Sequence, residues 1–412
     1  MRITGKYYKD LSLLLFLLTI SIHSYAHDVE IDGIYYNLDS ENKTAEVTHK
    51  DNIVNCYSGN VKIPESIVRN GVEYAVTSIG VSAFASCSNL NSVVIPNSII
   101  IIRWLAFDGC SGLTTVTIPN SVTSIEKSVF SDCSNLAQIK VEDGNIKYDS
   151  RNNCNAIIES SSNTLISGCK NTIIPYGISS IGSSAFARCL GLSSIEIPQS
   201  VISIESGAFS DCSGLTSIKI PYGVKTINVS AFGHCENLTS VTIPNSVTNI
   251  GNWAFGMCGL TSVTIPNSVE TINGNPFSDC YNLSSIKVES GNKKFDSRNN
   301  CNAIIETSTN KLISGCKNTI IPNEIVSIGA SAFEGCSDLI SLAVPANVNN
   351  IGIGAFRSCV GLKSVRLPNS VSYIGGQVFM SCGELKDVVS EIKSPFSIQD
   401  EVFKGISSDA IL

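Results

Sequence analysis

Cysteine is the residue type in this chain whose number and spacing first suggest chemistry. Sixteen cysteines occur among 412 residues, a number that outside the cytosol usually indicates a disulfide framework. Eleven of them lie three residues after a phenylalanine in a recurring Phe-x-x-Cys pattern. A thiol in the same slot of every repeat behaves as a small apolar core residue, and parallel Cβ vectors would strain a bond between neighbouring slots. We therefore predict that the following fill the core: Cys87, Cys110, Cys133, Cys189, Cys212, Cys235, Cys258, Cys280, Cys336, Cys359 and Cys382.

Two further pairs of cysteines have a different setting. Cys154 and Cys169 flank a segment that reads as a hairpin, and Cys301 and Cys316 flank its near-copy. Because each pair is symmetric about its turn, Cys154–Cys169 and Cys301–Cys316 are candidate cross-strand disulfides, with free thiols as the open alternative. Cys56 has no evident partner in the sequence. Zinc ligands need close pairs such as C-x₂-C, and none occurs, so no metal is expected.

Histidine and acidic residues give little support for catalysis. The chain has four histidines and contains no H-E-x-x-H, no G-x-S-x-G and no phosphate-binding glycine loop, so we predict no enzyme activity and no cofactor. Asp149 and Asp296 each begin an Asp-Ser-Arg-Asn-Asn segment. Its oxygens could bind calcium, although a turn closed by Asx hydrogen bonds is favoured. Trp104 and Trp253 are predicted to pack against neighbouring repeats, the alternative being an exposed binding anchor.

The phenylalanines that precede the cysteines, together with Phe403, recur at a nearly fixed interval. Steps between them are 23 residues almost everywhere, with one of 22, one of 24 and two of 56. Such a period indicates a solenoid, in which each unit buries its apolar face only against its neighbours. Within residues 113–136, alternation from Val116 predicts a short strand that Pro119 ends. Phe130 and Cys133, three apart, predict a single helical turn, and we expect about 14 such coils.

The two 56-residue steps contain inserts that are nearly identical to each other. Residues 139–175 and 286–322 lie 147 residues apart, so a block of several coils has been duplicated. Each insert is predicted to hold a small hairpin and one extra strand, at residues 172–174 and 319–321. The solenoid as a whole is predicted to span residues 61–412, after an N-terminal lead-in or cap at residues 27–60.

Outward-facing residues of the predicted strands form a hydroxyl-rich strip with scattered charge. Stacked strands lie ~4.8 Å apart, so about 14 coils give a sheet roughly 65 Å long. A strip of that length suits a macromolecular partner better than a metabolite. The candidate binding face consists of Thr115, Thr117, Glu196, Lys219, Thr242, Thr264, Lys287 and Arg366.

The N-terminal residues 1–26 are predicted to be a signal peptide cleaved near Ala26. Arg2, Lys6 and Lys9 precede an apolar run at residues 11–22, which is too short to span a membrane. The whole chain carries a formal net charge of −7 and no basic cluster, which argues against nucleic acid and anionic membrane surfaces as partners. We expect a secreted or cell-surface protein without a membrane span.

The elements Ile-Pro-Asn-Ser-Val, Ile-Gly and Ala-Phe-x-x-Cys recur together from about Val61 to the C-terminus. This combination resembles the BspA-like leucine-rich repeat family of bacterial and protozoan surface proteins. The resemblance implies a leucine-rich repeat solenoid, with short parallel strands on one face and short helical turns and extended segments on the other. It also implies an adhesin-like function, in which an extended surface binds extracellular matrix, host-surface or other cell-surface proteins. The alternative is binding of surface glycans, although the strip offers almost no aromatic side chains for it; an enzyme is the least favoured class.

Overall fold

A computed structural model describes residues 27–50, 56–394 and 396–411, so the predicted signal peptide lies outside the described residues. The described chain is a β-solenoid whose coils each bring one short segment to a common face. In that segment Val, Ile or Leu alternates with polar residues, which is the period of a strand with one buried side. A proline follows in most coils and ends the strand because it has no N–H to donate. We call these the face strands: Gly59–Lys62, Leu90–Val94, Thr115–Ile118, Gln138–Val141, Ser217–Lys219, Ser240–Thr242, Ser262–Ile265, Ser285–Val288, Ser341–Ala343, Ser364–Leu367 and Asp387–Ser390.

A second ladder runs beside the first and is built from strands of only two residues, most of them Ser-Ile, Thr-Ile or Asn-Ile. The isoleucine is directed into the core, and within each of three runs a strand pairs in parallel with the equivalent strand of the next coil, as Ile204 does with Ile227. We call these the side strands: Ile101–Ile102, Ser124–Ile125, Ser180–Ile181, Ser203–Ile204, Thr226–Ile227, Asn249–Ile250, Thr271–Ile272, Ser327–Ile328, Asn350–Ile351 and Tyr373–Ile374.

Each run of side strands begins with an antiparallel meander. The sequence-predicted hairpin of each insert is present and pairs at its second strand with the first side strand, as Leu165 does with Ile181. Sheets of seven, eight and six strands result. The meanders and their companions are Val29–Ile31, Ile34–Asp39, Thr44–Thr48, Ser66–Arg69 and Val72–Ile79 at the N-terminus, Tyr148–Asp149, Ala156–Glu159 and Thr164–Gly168 in the first insert, and Phe295–Asp296, Ala303–Glu306 and Lys311–Gly315 in the second. The extra strands predicted at residues 172–174 and 319–321 are not strands in the structure.

The Phe-x-x-Cys segment corrects one detail of the sequence prediction, because it forms two hydrogen-bonded turns and not a helical turn. In the first coil the Cys87 N–H donates to the Phe84 carbonyl at 3.2 Å, and the Ala85 N–H to the Ser82 carbonyl at 2.9 Å. Ser82 and Ser86 have φ of 55° and 59°, the left-handed region that a right-handed helix excludes. Helical residues in the described chain are confined to two three-residue 3₁₀ segments, Arg151–Asn153 and Arg298–Asn300.

Stacked phenylalanine rings form the centre of the core. Neighbouring rings lie 4.9–5.8 Å apart and nearly parallel. The stack is interrupted at each insert, where Gly168 or Gly315 occupies the phenylalanine slot: the Gly168 N–H donates to the Ala185 carbonyl at 2.8 Å, just as the Phe186 N–H donates to that of Ala208. The buried residues consequently divide into three clusters, with the boundaries at the two inserts.

Candidate binding surface

The eight predicted face residues all project outward and are exposed to solvent. The parallel register aligns them across coils: Lys219 lies beside Thr242, and Thr264 beside Lys287. Arg366 also makes an ion pair with Glu391. Seven of the eight lie on face strands, whereas Glu196 lies in an unpaired extended segment. The structure therefore aligns most of the predicted residues along a common face, where hydroxyl groups and the positive charges of Lys219, Lys287 and Arg366 are presented side by side.

The two inserts each add a concavity beside this face. The first has a volume of about 300 Å³ and is bordered by the loop from Lys140 to Asn153; its counterpart, next to Lys287, has about 550 Å³. Asp149 is held there by Arg151, whose backbone N–H and Nε donate to Asp149 Oδ1 at 3.0 and 2.7 Å. The favoured Asx turn is thus present in the structure. Burial alone would raise the pKa of Asp149, but these hydrogen bonds outweigh it and hold that pKa below its ordinary value.

The same ion pair bears on the calcium alternative. Arg298 repeats the geometry on Asp296 in the second insert, with Nε donating to Oδ1 at 2.8 Å. Both aspartates therefore have a guanidinium where a cation would have to lie. Among the residues that the structure describes, no group of three or more His, Cys, Asp or Glu side chains is placed to hold a metal ion.

The core cysteines have a role that the sequence did not reveal. In eight coils the thiol donates to the carbonyl of the phenylalanine 25 or 26 residues earlier, at 3.0–3.2 Å, so that it joins one coil to the previous one. These thiols belong to Cys110, Cys133, Cys212, Cys235, Cys258, Cys280, Cys359 and Cys382. Burial raises the pKa of Cys110 and Cys280 to about 12, which makes these thiols poor nucleophiles.

The four cysteines of the candidate disulfides are free thiols in the structure. A bulge at Ile166 shifts the hairpin register, and its last pair joins Ala156 to Gly168. Cys169 then lies beside Asn155, to whose carbonyl its thiol donates at 3.4 Å, while Cys154 is directed to the opposite side. The two thiols belong to different core clusters, and the second insert repeats this arrangement for Cys301 and Cys316. The geometry of the structure is therefore opposed to both disulfides.

Cys56, which had no evident partner in the sequence, lies against Cys87. A hydrogen bond from the Cys87 thiol lowers the pKa of Cys56 to about 7, while the same contact raises that of Cys87. The Tyr57 ring packs on Phe84 with ring centroids 4.6 Å apart and so extends the column of rings by one position. Cys56, the residue before Tyr57, is thereby placed against Cys87, the first cysteine of the Phe-x-x-Cys series. The pair could not be foreseen because it joins the lead-in to the first coil.

A buried charged group lies where the second insert ends. The Glu334 side chain is fully buried and accepts from Arg357 Nε at 2.6 Å. Asp279, 4% exposed, lies one coil away on the other side of Glu334, and its N–H donates to the Glu334 carbonyl at 2.9 Å. Burial, and then the Glu334 carboxylate, raise the pKa of Asp279 to about 7. Asp279, Glu334 and Arg357 lie between stacked turns, so we assign them a structural role in joining the coils on either side of the second insert.

The two tryptophans are half-buried, and Trp253 stacks on His234 with ring centroids 6.2 Å apart. Packing against neighbouring coils therefore describes Trp253 as predicted. Among the residues that the structure describes, the most exposed aromatic ones are instead Tyr176 and Tyr222, at 84% and 65%. Sequence inspection missed them because it searched the strands, whereas both directly follow an Ile-Pro pair, beyond the strand positions.

Comparison with known proteins identifies the repeat. The sequence pattern of the BspA type leucine rich repeat region matches residues 55–164, 157–284, 207–310 and 304–411, which together span most of the chain. The chain belongs to the BspA-type leucine-rich repeat family. A comparison with curated proteins finds no match.

Several solved structures resemble this BspA-type chain. A leucine rich cell surface protein from Faecalibacterium prausnitzii A2-165 is 25% identical, with 92% of this chain and 94% of that chain covered and a TM-score of 0.52. A leucine-rich repeat protein from Bacteroides ovatus is 27% identical, with 92% of each chain covered and a TM-score of 0.47. The pneumococcal vaccine antigen PcpA is 19% identical over 92% of this chain and 82% of its own, with a TM-score of 0.43.

The BspA-type solenoid is a scaffold that presents surfaces, and its relatives include surface proteins. Within the described ranges, no helix has the length and apolar character needed to cross a membrane.

Proposed function

We propose that the protein is an exported, non-enzymatic, adhesin-like binding protein whose face strands engage extracellular matrix or host-surface proteins. The observation that carries the proposal is the aligned outward column of the face strands, where Thr117, Lys219, Thr242, Thr264, Lys287 and Arg366 are all exposed. A partner of matching length can make many weak contacts along such a column, and the positive charges of Lys219, Lys287 and Arg366 select for partners with complementary acidic groups. The cell-surface relative supports an extracellular location.

The test is a binding screen of soluble residues 27–412 against immobilised matrix glycoproteins and plasma proteins, read by biolayer interferometry. We expect saturable binding that falls at least tenfold in the K287E/R366E variant, because both side chains project from face strands. The matched control is Lys225→Glu, an exposed lysine on the side-strand surface, which should leave affinity unchanged. Absence of saturable binding across the panel, or equal losses in both variants, would refute the proposal.

Export is tested separately. When the full chain is expressed with its first 26 residues in a bacterial host, we expect N-terminal sequencing of the exported protein to begin at His27. Retention in the cytoplasm with Met1 intact would contradict this part of the proposal.

A further inference from the structure

The position that follows the recurring proline of each coil changes character in three consecutive coils. In most coils this position is asparagine: Asn97, Asn120, Asn245, Asn267, Asn323 and Asn369. In three coils after the first insert it is Tyr176, then Gln199, then Tyr222. Both tyrosines extend into solvent, although a large aromatic residue usually gains stability by burial. Their exposure indicates that these two tyrosines have a role other than stabilising the fold.

The three turns are stacked directly on one another. The Gly177 N–H donates to Ser200 Oγ at 3.0 Å, and the Tyr222 N–H donates to Gln199 Oε1 at 3.1 Å. A Cβ atom added to Gly223 would lie 2.4 Å from the Gln199 carbonyl oxygen, which shows how closely the turns approach. The phenylalanine rings of these coils advance by 5.0 and 5.2 Å per coil, so the tyrosines, two coils apart, are separated by roughly 10 Å along the axis.

The duplicated block shows that the fold does not need these aromatic residues. Addition of 147 to the residue number converts Tyr176 to Asn323, Gln199 to Ala346 and Tyr222 to Asn369. The backbone hydrogen bond of the turn is the same at Tyr222 and at Asn369, whereas Gly177, after Tyr176, has a φ of 95° that Glu324, after Asn323, does not share. The N–H of Val224 donates to the Pro221 carbonyl at 3.1 Å, and that of Val371 donates to the Pro368 carbonyl at 3.2 Å. The Asn369 turn is therefore a control within the chain for the Tyr222 turn, with the same backbone hydrogen bond and a different side chain.

Polar groups complete the surface between the tyrosines. A small concavity of about 90 Å³ is lined by Glu196, Gln199 and Lys219 together with two prolines. Since the side-chain Oε1 of Gln199 already accepts from the Tyr222 backbone N–H, the side-chain NH₂ group of Gln199 remains to donate outward. A carboxylate, an ammonium and an amide therefore line a concavity next to the turns that carry Gln199 and Tyr222. We call Tyr176, Gln199, Tyr222, Glu196 and Lys219 the tyrosine platform.

We propose that the tyrosine platform binds an extended glycan chain that runs along the solenoid axis. Aromatic faces pack against the C–H face of a pyranose while nearby polar groups hydrogen-bond its hydroxyls, which is the combination found here. In an extended β-linked chain each sugar advances by about one coil spacing, so the two tyrosines would contact alternate sugars and Gln199 the one between them. A protein partner is disfavoured because its anchor residues need deep apolar pockets, and the platform is shallow and polar.

The proposal goes beyond the proposed function, since it concerns the turns that carry Tyr176, Gln199 and Tyr222 and a different class of ligand. The experiment titrates soluble residues 27–412 with cellotetraose and chitotetraose by calorimetry, after a glycan array has been screened. Affinity should rise strongly from mono- to trisaccharide, because two tyrosines must be reached. In Y176N/Y222N, which copies the second block, we expect at least a tenfold loss of affinity with an unchanged melting temperature.

Two further variants make the result decisive. N323Y/A343E/A346Q/N369Y builds the platform into the second block and should raise the stoichiometry from one site to two. K287E/R366E, which lies outside the platform, should leave glycan affinity unchanged, so that failure here is distinct from failure of the face-strand proposal. The inference is overturned if no array glycan binds, if Y176N/Y222N binds glycan as well as the unaltered protein, or if that variant loses only a protein ligand.

Discussion

Replacement of Gly168 by alanine is the most direct test of how the inserts join the core. A Cβ atom at this position would lie 2.2 Å from Cε1 and 2.5 Å from Cζ of Phe186, whereas ordinary contact begins at 3.4 Å. Phe186 is 1% exposed and is stacked on Phe209 at 5.0 Å. The ring therefore cannot move aside without disturbing the next coil.

The magnitude follows from two opposing effects. Overpacking of a closed core costs about 1–3 kcal/mol, and we take the upper part of that range because the ring is backed by Phe209. Alanine also restricts the unfolded chain, which stabilises the protein by ~0.4–1 kcal/mol where the backbone permits it. We thus expect Gly168→Ala to lower the free energy of unfolding by roughly 2 kcal/mol. Gly315→Ala should behave alike, since its Cβ would lie 2.2 Å from Cε1 of Phe333.

The assay is equilibrium unfolding in urea, followed by far-ultraviolet circular dichroism. Gly383→Ala is the matched control because no atom lies within 4 Å of the added carbon, and it should be neutral or slightly stabilising. A double-mutant cycle with Phe186→Leu identifies the contact, since alanine at 168 should cost at least about 1 kcal/mol less when the ring is absent. Additivity within about 0.3 kcal/mol would refute the reasoning.

Four other measurements follow from the buried groups. Burial raises the pKa of Asp279 to about 7, so between pH 4 and 7 the folded state holds a proton that the unfolded carboxyl releases, and the free energy of unfolding falls as pH rises. Relative to the unaltered protein, D279N should therefore be more stable by roughly 3 kcal/mol at pH 8 and differ little at pH 4. Equal gains in stability at both pH values would contradict this. Near pH 7, mass spectrometry should find Cys56 alkylated first by iodoacetamide, because its hydrogen bond with Cys87 lowers its pKa to about 7; slower labelling than at the buried thiols would contradict the assignment. Cys235→Ala should cost about 2 kcal/mol in urea unfolding, since the Phe209 carbonyl loses a donor and a small cavity remains; a neutral result would remove the hydrogen bond from the account. Thiol titration of the denatured, unreduced protein should find all 16 cysteines free, whereas 12 (16 minus four) would restore both candidate disulfides.

The repeat could be predicted because the same sequence pattern recurs in every coil. Each Phe and each inward Ile must meet the same residue of the next coil, so the spacing of Phe209 and Phe232 in the sequence is also their order in the core. The helical turn was wrongly predicted because a spacing of three residues also fits a β-turn. Nothing in the sequence indicates that the backbone of Ser82 adopts a left-handed conformation. The register of the insert hairpin depends on a bulge at Ile166, which symmetry about the turn does not reveal.

Residues brought together across an insert were beyond sequence reasoning. Asp279 and Glu334 are 55 positions apart and meet only because the insert leaves the turn edges of its two neighbouring coils in contact. The tyrosine platform had a visible signal, the change from Ile-Pro-Asn-Ser to Ile-Pro-Tyr-Gly at Tyr176 and Tyr222. It was overlooked because the strand face was taken as the place where aromatic residues would matter.

The meander that starts each run of side strands has a consequence for how long this protein can become. Because the N-terminal meander and both insert meanders offer a parallel edge to the coil that follows, a further 147-residue block would meet the same joint wherever it was added. Such a block contains about six coils and would extend the molecule by roughly 29 Å. Gene duplication could thus change the length of the solenoid in fixed increments, while every coil kept the neighbours it already has.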